Sequence, residues 1–259
     1  GQSTASNSTD SDDITQQTYK PGKLTIATGQ PAYEPWVMND KPESGEGYEA
    51  AVAYAVADKL GFKKSDVVWT RTAFDTAIAP GAKDWDFNIQ QFGITDERKK
   101  AVDFSSSYYN DSQSVVVKKD SKFANATKVS DLKDATVGVM VGTLAYDYAK
   151  ANIKDDIQTF NDDAALAQAL DAGQIDVLVT STVECVYMVQ SEQVKDAKVL
   201  GRLPDSEDKS GMGIVLPKDS KLTAAVTKAV DDLNADGTIK KLQDKWLAEY
   251  TTDLTELKK

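Results

Sequence analysis

From Lys23 onward, short apolar runs alternate with segments whose apolar residues recur at helical spacing, and the joins between them are short. That alternation is the mark of an α/β architecture with largely parallel sheets and helices on both faces. Leu24 to Ala27 reads as a first strand, and Tyr48, Ala51, Val52, Ala55, Val56 and Leu60 trace a helix that Gly61 stops. Val67 to Trp69 and Phe87 to Ile89 read as strands, with a short helix from Phe74 to Ala79 between them ended by Pro80-Gly81. Val115 to Val117 and Val137 to Val141 are strands of the fully buried type. A helix over about 162–172 follows, then a strand from Ile175 to Val179, a helix after Thr182, and a strand from Gly213 to Leu216. Two helices close the chain, about 221–235 and 238–250, with Gly237 between them. These strands are too many for one compact five-stranded sheet, and they lack the eightfold regularity of a barrel. Two α/β lobes fit better.

Composition removes several classes of function. The 259 residues contain no histidine, which excludes histidine general bases, Ser-His and Cys-His nucleophile pairs and the commonest transition-metal ligand. The formal charge of −11 argues against nucleic acid or an anionic membrane surface as the main partner. The one cysteine, Cys185, can form neither an intramolecular disulfide nor a thiolate cluster, and reads as a small buried hydrophobe. No apolar run approaches the roughly 20 residues needed to span a bilayer. Residues 1–19 are almost all Ser, Thr, Asn, Gln and Asp, and are expected to form a disordered tether. Such a tether fits a protein held at a cell surface through a removed N-terminal cysteine, and fits a plain leader equally.

Ligands of open α/β sheets sit beyond the carboxyl ends of strands, so the residues just after strands are the candidates. After the first strand, Gly29, Pro31 and Pro35 stiffen a loop that presents Tyr33 and Trp36, whose rings could sandwich a small solute or plug the core. Phe74, after the second strand, carries the same two readings. The third strand empties into Gln90, Gln91 and Gly93, and then Thr95 heads a helical turn with Arg98 three residues on. A guanidinium held by such a turn is a fork shaped for a carboxylate, and the alternative is a solvated charge beside Lys99 and Lys100. Gly142-Thr143-Leu144 opens a helix after another strand, where free N–H groups could take an anion or Thr143 could act simply as a cap. Thr180 to Glu184, including Ser181, again lies at a strand's carboxyl end. The paired acids Asp162-Asp163 and Asp231-Asp232 fall at helix starts or on solvent faces, where no raised pKa is expected. No Gly-rich phosphate loop and no metal-ligand spacing is present.

Taken in order, Tyr33-Glu34-Pro35-Trp36, Gly47-Tyr48-Glu49, Ile94 to Arg98, Val102 to Ser105 with Tyr108-Tyr109, Gly138-Val139 with Gly142-Thr143, and Asp236-Gly237-Thr238 with Lys245-Trp246-Leu247 resemble the motifs of amino-acid ABC-transporter substrate-binding proteins of the polar amino-acid family. The resemblance implies a two-lobed type II periplasmic-binding-protein fold, each lobe a mostly parallel sheet flanked by helices. It puts residues 20–112 and 211–259 in the first lobe and 113–210 in the second, with two crossover strands. It implies a monomer outside the cytoplasm that closes its lobes on a polar amino acid and delivers it to a membrane ABC permease, with no catalysis and no cofactor. By the same resemblance, Arg98 holds the ligand's α-carboxylate, and Tyr33, Trp36 and Phe74 enclose its body. Gln90, Gln91 and Gly93 contact its amino and carboxylate groups, and Thr143, Leu144 and Ser181 contribute from the second lobe. The sequence departs from the family pattern in having Ser181 where an aspartate usually pairs with the ligand ammonium, Leu144 in place of a second threonine, and no acid near Gln30. Glu184 or Glu34 is expected to supply the missing charge. A dehydratase on the same scaffold, or a ligand-sensing module, is the alternative.

Overall fold

Residues 13–259 are described by a computed structural model. They form two units, one of residues 13–110 and 210–247 and the other of residues 111–209 and 248–259.

The first unit is built on a five-stranded sheet in the order β2-β1-β3-β10-β4, with β1 Leu24–Thr28, β2 Val67–Arg71, β3 Phe87–Asn88, β4 Val102–Tyr109 and β10 Met212–Pro217. Strands β2, β1 and β3 are parallel neighbours, while β10 runs antiparallel to both β3 and β4. Helices α1 (Tyr48–Lys59), α2 (Phe74–Ala77), α3 (Asp96–Lys99), α7 (Thr223–Ala235) and α8 (Thr238–Trp246) belong to it. Strand β1 is buried throughout, which is why its sequence is apolar on both faces. One side of the sheet packs Ala27, Val102 and Val215 against Ala77, Trp85 and Phe92.

The second unit repeats the plan in its own sheet, ordered β7-β6-β8-β5-β9. Its strands are β5 Gln113–Lys118, β6 Val137–Met140, β7 Ile157–Phe160, β8 Val177–Ser181 and β9 Ala197–Arg202. Here β5 is the reversed strand, antiparallel to β8 and β9, so both sheets are mixed rather than purely parallel. The period of two along β5 and β8 divides the core cleanly. Val115, Val117, Val177 and Val179 face one cluster, and Val116 and Leu178 face the other. Helices α4 (Leu144–Asn152), α5 (Asp163–Asp171), α6 (Thr182–Gln190) and α9 (Ala248–Thr251) complete it.

Two expectations from the sequence need correction. Residues 13–19 are not tether: Asp13 caps a short 3-10 turn, Thr18 is buried, and the Tyr19 N–H donates to Asp86 at 2.7 Å. Asp86 also accepts from the Thr25 N–H at 2.7 Å, so one carboxylate fastens the approach to β1 at two points. The rest of the expected tether lies outside the described residues. Residues 248–259, expected with the first lobe, pack on the second unit. The Arg202 N–H donates to the Thr255 carbonyl at 2.7 Å, and Leu257, 2% exposed, enters that unit's core.

Candidate functional site

In the first unit, β1, β2 and β3 end together at Thr28, Arg71 and Asn88, and the expected site residues follow these ends. Arg71 braces the loop after β1, donating to the Gly29 carbonyl at 2.9 Å and to Asp40 Oδ1 at 2.6 Å. Asp40 in turn accepts from the Ala32 N–H at 2.8 Å. On this braced loop the Tyr33 ring stands 53% exposed, so it does not plug the core. Trp36 does. It is 5% exposed, with Tyr48 and Tyr109 rings at 6.2 and 5.7 Å, and leaves almost no face for a solute. The expectation that Trp36 encloses a ligand is corrected accordingly.

Arg98 is fixed from three sides. Thr95 caps α3 by accepting from the Arg98 N–H at 3.1 Å, and Nη1 donates to the Gly93 carbonyl at 2.8 Å. The guanidinium lies 5.4 Å over the Phe74 ring, which itself packs on Phe92 at 4.7 Å. Burial pushes the Arg98 pKa down, with Asp75 partly opposing, yet an arginine remains charged in any protein setting. Arg71 is ion-paired to Asp40, whereas no ion pair engages Arg98 among the described residues.

Gln90 and Gln91 part company. Gln90 lies against Gly29, where a Cβ would come within 2.5 Å of its Nε2 and push the amide aside. Its Oε1 is buried with no partner among the described residues. Gln91, in contrast, gives both its N–H and its side-chain amide to Glu49, and its side chain is committed within the fold.

In the second unit, β6, β7 and β8 are parallel and end at Met140, Phe160 and Ser181. Thr143 caps α4: its hydroxyl donates to the Met140 carbonyl at 2.7 Å and accepts from the Tyr146 N–H at 3.2 Å. Beside it Leu144 and Val141 are 46% and 52% exposed, an apolar pair on either side of Gly142. Thr143→Ala is expected to cost about 1 kcal/mol of stability, the usual value of a lost cap, as read by urea denaturation. Ser181 precedes α6, and its side chain makes no capping bond.

Of the acids at these strand ends, Glu184 was singled out from the sequence, whereas Asp163 and Asp111 were not. Asp163, in the first turn of α5, has its pKa raised by burial and accepts from the Thr180 hydroxyl at 3.5 Å. Glu184 is raised by burial first, and then by the charges of Asp163 and Asp111. No hydrogen bond engages its carboxylate among the described residues. Asp111, 5% exposed, accepts from the N–H groups of Ser112 and Val183, and burial pushes it up to about 7. The expectation that Asp162-Asp163 is an ordinary solvent-facing pair therefore holds only for Asp162, which caps α5 through the Ala165 N–H at 2.7 Å. Glu34, the other acid considered, accepts from the Asn39 N–H at 3.3 Å. Among the described residues no cluster of potential metal ligands occurs, and no helix is long and apolar enough to cross a membrane.

Two units, each with a mixed five-stranded sheet and polar groups collected where its parallel strands end, define a two-lobed α/β protein of the type II periplasmic-binding class. Comparison with known proteins agrees. Residues 24–249 match the profile of the bacterial extracellular solute-binding proteins, family 3, and the chain belongs to that family. It is 29% identical over 245 residues to the L-arginine-binding protein of Pseudomonas aeruginosa, covering 88% of each chain. It is also 29% identical to the L-cystine-binding protein TcyJ of Escherichia coli K12, covering 85% of this chain and 81% of that one. Among solved structures, an ancestral arginine-binding protein bound to arginine superposes with a TM-score of 0.65 at 31% identity, covering 87% of this chain and 98% of the other. The ancestral amino-acid-binding protein AncCDT-1, described as a precursor of cyclohexadienyl dehydratase, gives 0.63 at 30% identity, covering 87% and 95%.

Proposed function

We propose that this protein captures a polar α-amino acid outside the cytoplasm and delivers it, as a monomer, to a membrane ABC permease, without chemical turnover. The observation that carries this reading is Arg98, a half-buried guanidinium with no ion pair among the described residues, held by Thr95, Gly93 and Phe74 at the ends of parallel strands. A desolvated cation is costly unless an anion joins it, and a planar fork suits a carboxylate in two-point contact. Relatives named for L-arginine and L-cystine, and ancestral relatives bound to arginine and to glutamine, support an amino acid as the source of that carboxylate.

On the same reading Phe74 and Tyr33 contribute aromatic surface, and the Gln90 amide and the Gly93 turn contact the ligand's polar end. On the second unit, Glu184 is the group suited to an ammonium, because its carboxylate is partly desolvated beside two other acids and takes no hydrogen bond among the described residues. It takes the part of the aspartate that Ser181 replaces. Ser181 adds an uncapped hydroxyl, and Leu144 an apolar contact at a helix start that Thr143 holds in shape.

Ligand that binds only the folded chain stabilises it by about 2.7 kcal/mol at a concentration a hundred times Kd. A melting screen over the common amino acids and cystine is therefore expected to single out a small group that raises Tm by roughly 5–10 °C. Those solutes should be recovered unchanged after long incubation. A screen in which none of them moves the transition would refute the reading, and conversion of a solute would move the protein to the enzymes.

A further inference from the structure

Glu49 sits in the first turn of α1 and is 0% exposed. Three donors converge on its carboxylate. The Gln91 N–H reaches Oε2 at 2.8 Å, the Gln91 side-chain amide reaches Oε1, and the Tyr108 hydroxyl reaches Oε2. Nothing about stability alone calls for an acid here. Burying a carboxylate is expensive, and a well-packed apolar side chain commonly serves as well or better. Burial does raise the Glu49 pKa, to about 7, against the pull of those three donors.

The acid makes sense from what Gln91 must do. Gln91 has φ of 51°, a left-handed conformation unfavourable for a residue that carries a side chain. Glu49 grips this residue by backbone and side chain together. The turn it fixes has on one side Gln90, whose buried Oε1 has no partner among the described residues, and on the other the Gly93 carbonyl that receives Arg98 Nη1 at 2.8 Å. The ionised carboxylate offers two acceptor oxygens to these three donors, whereas an amide at position 49 offers one.

We propose that Glu49 is a positioning residue for ligand capture: its buried carboxylate clamps Gln91 in a left-handed turn and thereby sets the Gln90 amide and the Arg98 guanidinium in place before the solute arrives. The proposal rests on the reading of Arg98 as the carboxylate anchor. Glu49 itself touches no solute.

The test compares the wild-type protein with Glu49→Gln, Gln91→Ala and Tyr108→Phe. Tm is read by melting, and the Gln91 amide and Arg98 Nε resonances by NMR without ligand. Affinity for L-arginine, L-glutamine and L-cystine is read by calorimetry. Glu49→Gln is expected to stay folded with at most a modest loss of Tm, to shift both resonances, and to weaken whichever probe binds by at least about tenfold. Gln91→Ala, which severs the side-chain half of the clamp and leaves the buried acid in place, should shift the Arg98 resonance and also weaken binding, even should Glu49→Gln fail to fold. Tyr108→Phe removes the one donor that does not belong to the turn, and should keep affinity within about threefold. Unmoved Arg98 resonances in the Gln variant, or wild-type affinity in that variant once folded, would overturn the proposal. If the wild-type protein bound none of the three probes, the reading of Arg98 would be in question, while the ligand-free spectra would still decide whether the clamp exists.

Discussion

Arg98→Ala is expected to weaken amino-acid binding by at least about a hundredfold, close to 2.7 kcal/mol, while leaving the ligand-free protein as stable as before or slightly more so. The two halves of that expectation come from the same environment. The guanidinium is half-buried and makes no ion pair among the described residues, so its removal relieves a desolvated charge and loses, among charge interactions, only the through-space attraction of Asp75. What the ligand-free fold loses is one hydrogen bond to the Gly93 carbonyl and the contact over Phe74, and each is worth about 1 kcal/mol. The bound state loses more, because the solute's carboxylate would enter the same partly dry place with no partner, at a cost well above that of a neutral hydrogen bond. Arg98→Lys separates charge from shape. It keeps the cation but not the fork, and should recover part of the affinity, about a tenth of wild type. Titration calorimetry with parallel melting curves reads both quantities, and an Arg98→Ala protein that bound normally would remove the anchor from the account.

The second large effect concerns pH. Without ligand, the protein is expected to be most stable in mild acid, and to lose a few kcal/mol, or roughly 5–10 °C in Tm, between pH 5 and pH 8.5. Glu49 and Asp111 have pKa values of about 7, and Asp163 and Glu184 are raised as well, in each case first by burial. A carboxylate whose pKa is higher in the folded chain keeps its proton there over a range where the unfolded chain has already released it. That contribution is complete below the ordinary carboxylate range, near pH 4, and is lost as pH rises through about 7. The trend is opposite to acid denaturation of a protein held together by ionised acids. A cationic group bound beside Glu184 would favour the ionised form, so ligand-induced stabilisation should grow with pH over the same interval. Glu184→Gln should reduce both slopes. Melting curves that rise steadily from pH 5 to pH 8.5 would contradict these assignments.

The parts of the fold that sequence made legible are those buried on both faces. Strands β1, β5, β6, β8 and β10 are short apolar runs because each has neighbours on both sides in its sheet. Strands β4, β7 and β9 were not read as strands, and all three are edges, where Ser105, Gln158 and Lys198 interrupt the pattern at little cost. The same division runs through the site. Arg98 was recognisable because its supports, Gly93 and Thr95, lie within five residues of it. Trp36 was misread because Tyr48 and Tyr109, whose rings close over it, come from distant segments. Glu49 and Gln91 are 42 positions apart, and Asp111 and Val183 are 72 apart. No local spacing carries pairings of that kind. The raised pKa of Asp163 depends on burial beside Thr180, which the helix-start pattern of Asp162-Asp163 does not disclose.

The most direct test of the account takes the amino acid that gives the largest melting shift and titrates it calorimetrically into the full chain, beside the amine that lacks only its carboxylate, such as L-arginine beside agmatine. Saturable binding of the amino acid at one site is expected, with a loss of at least about a hundredfold for the amine and with Arg98→Ala binding both equally poorly. Equal affinity of the wild-type protein for the two compounds would contradict that expectation.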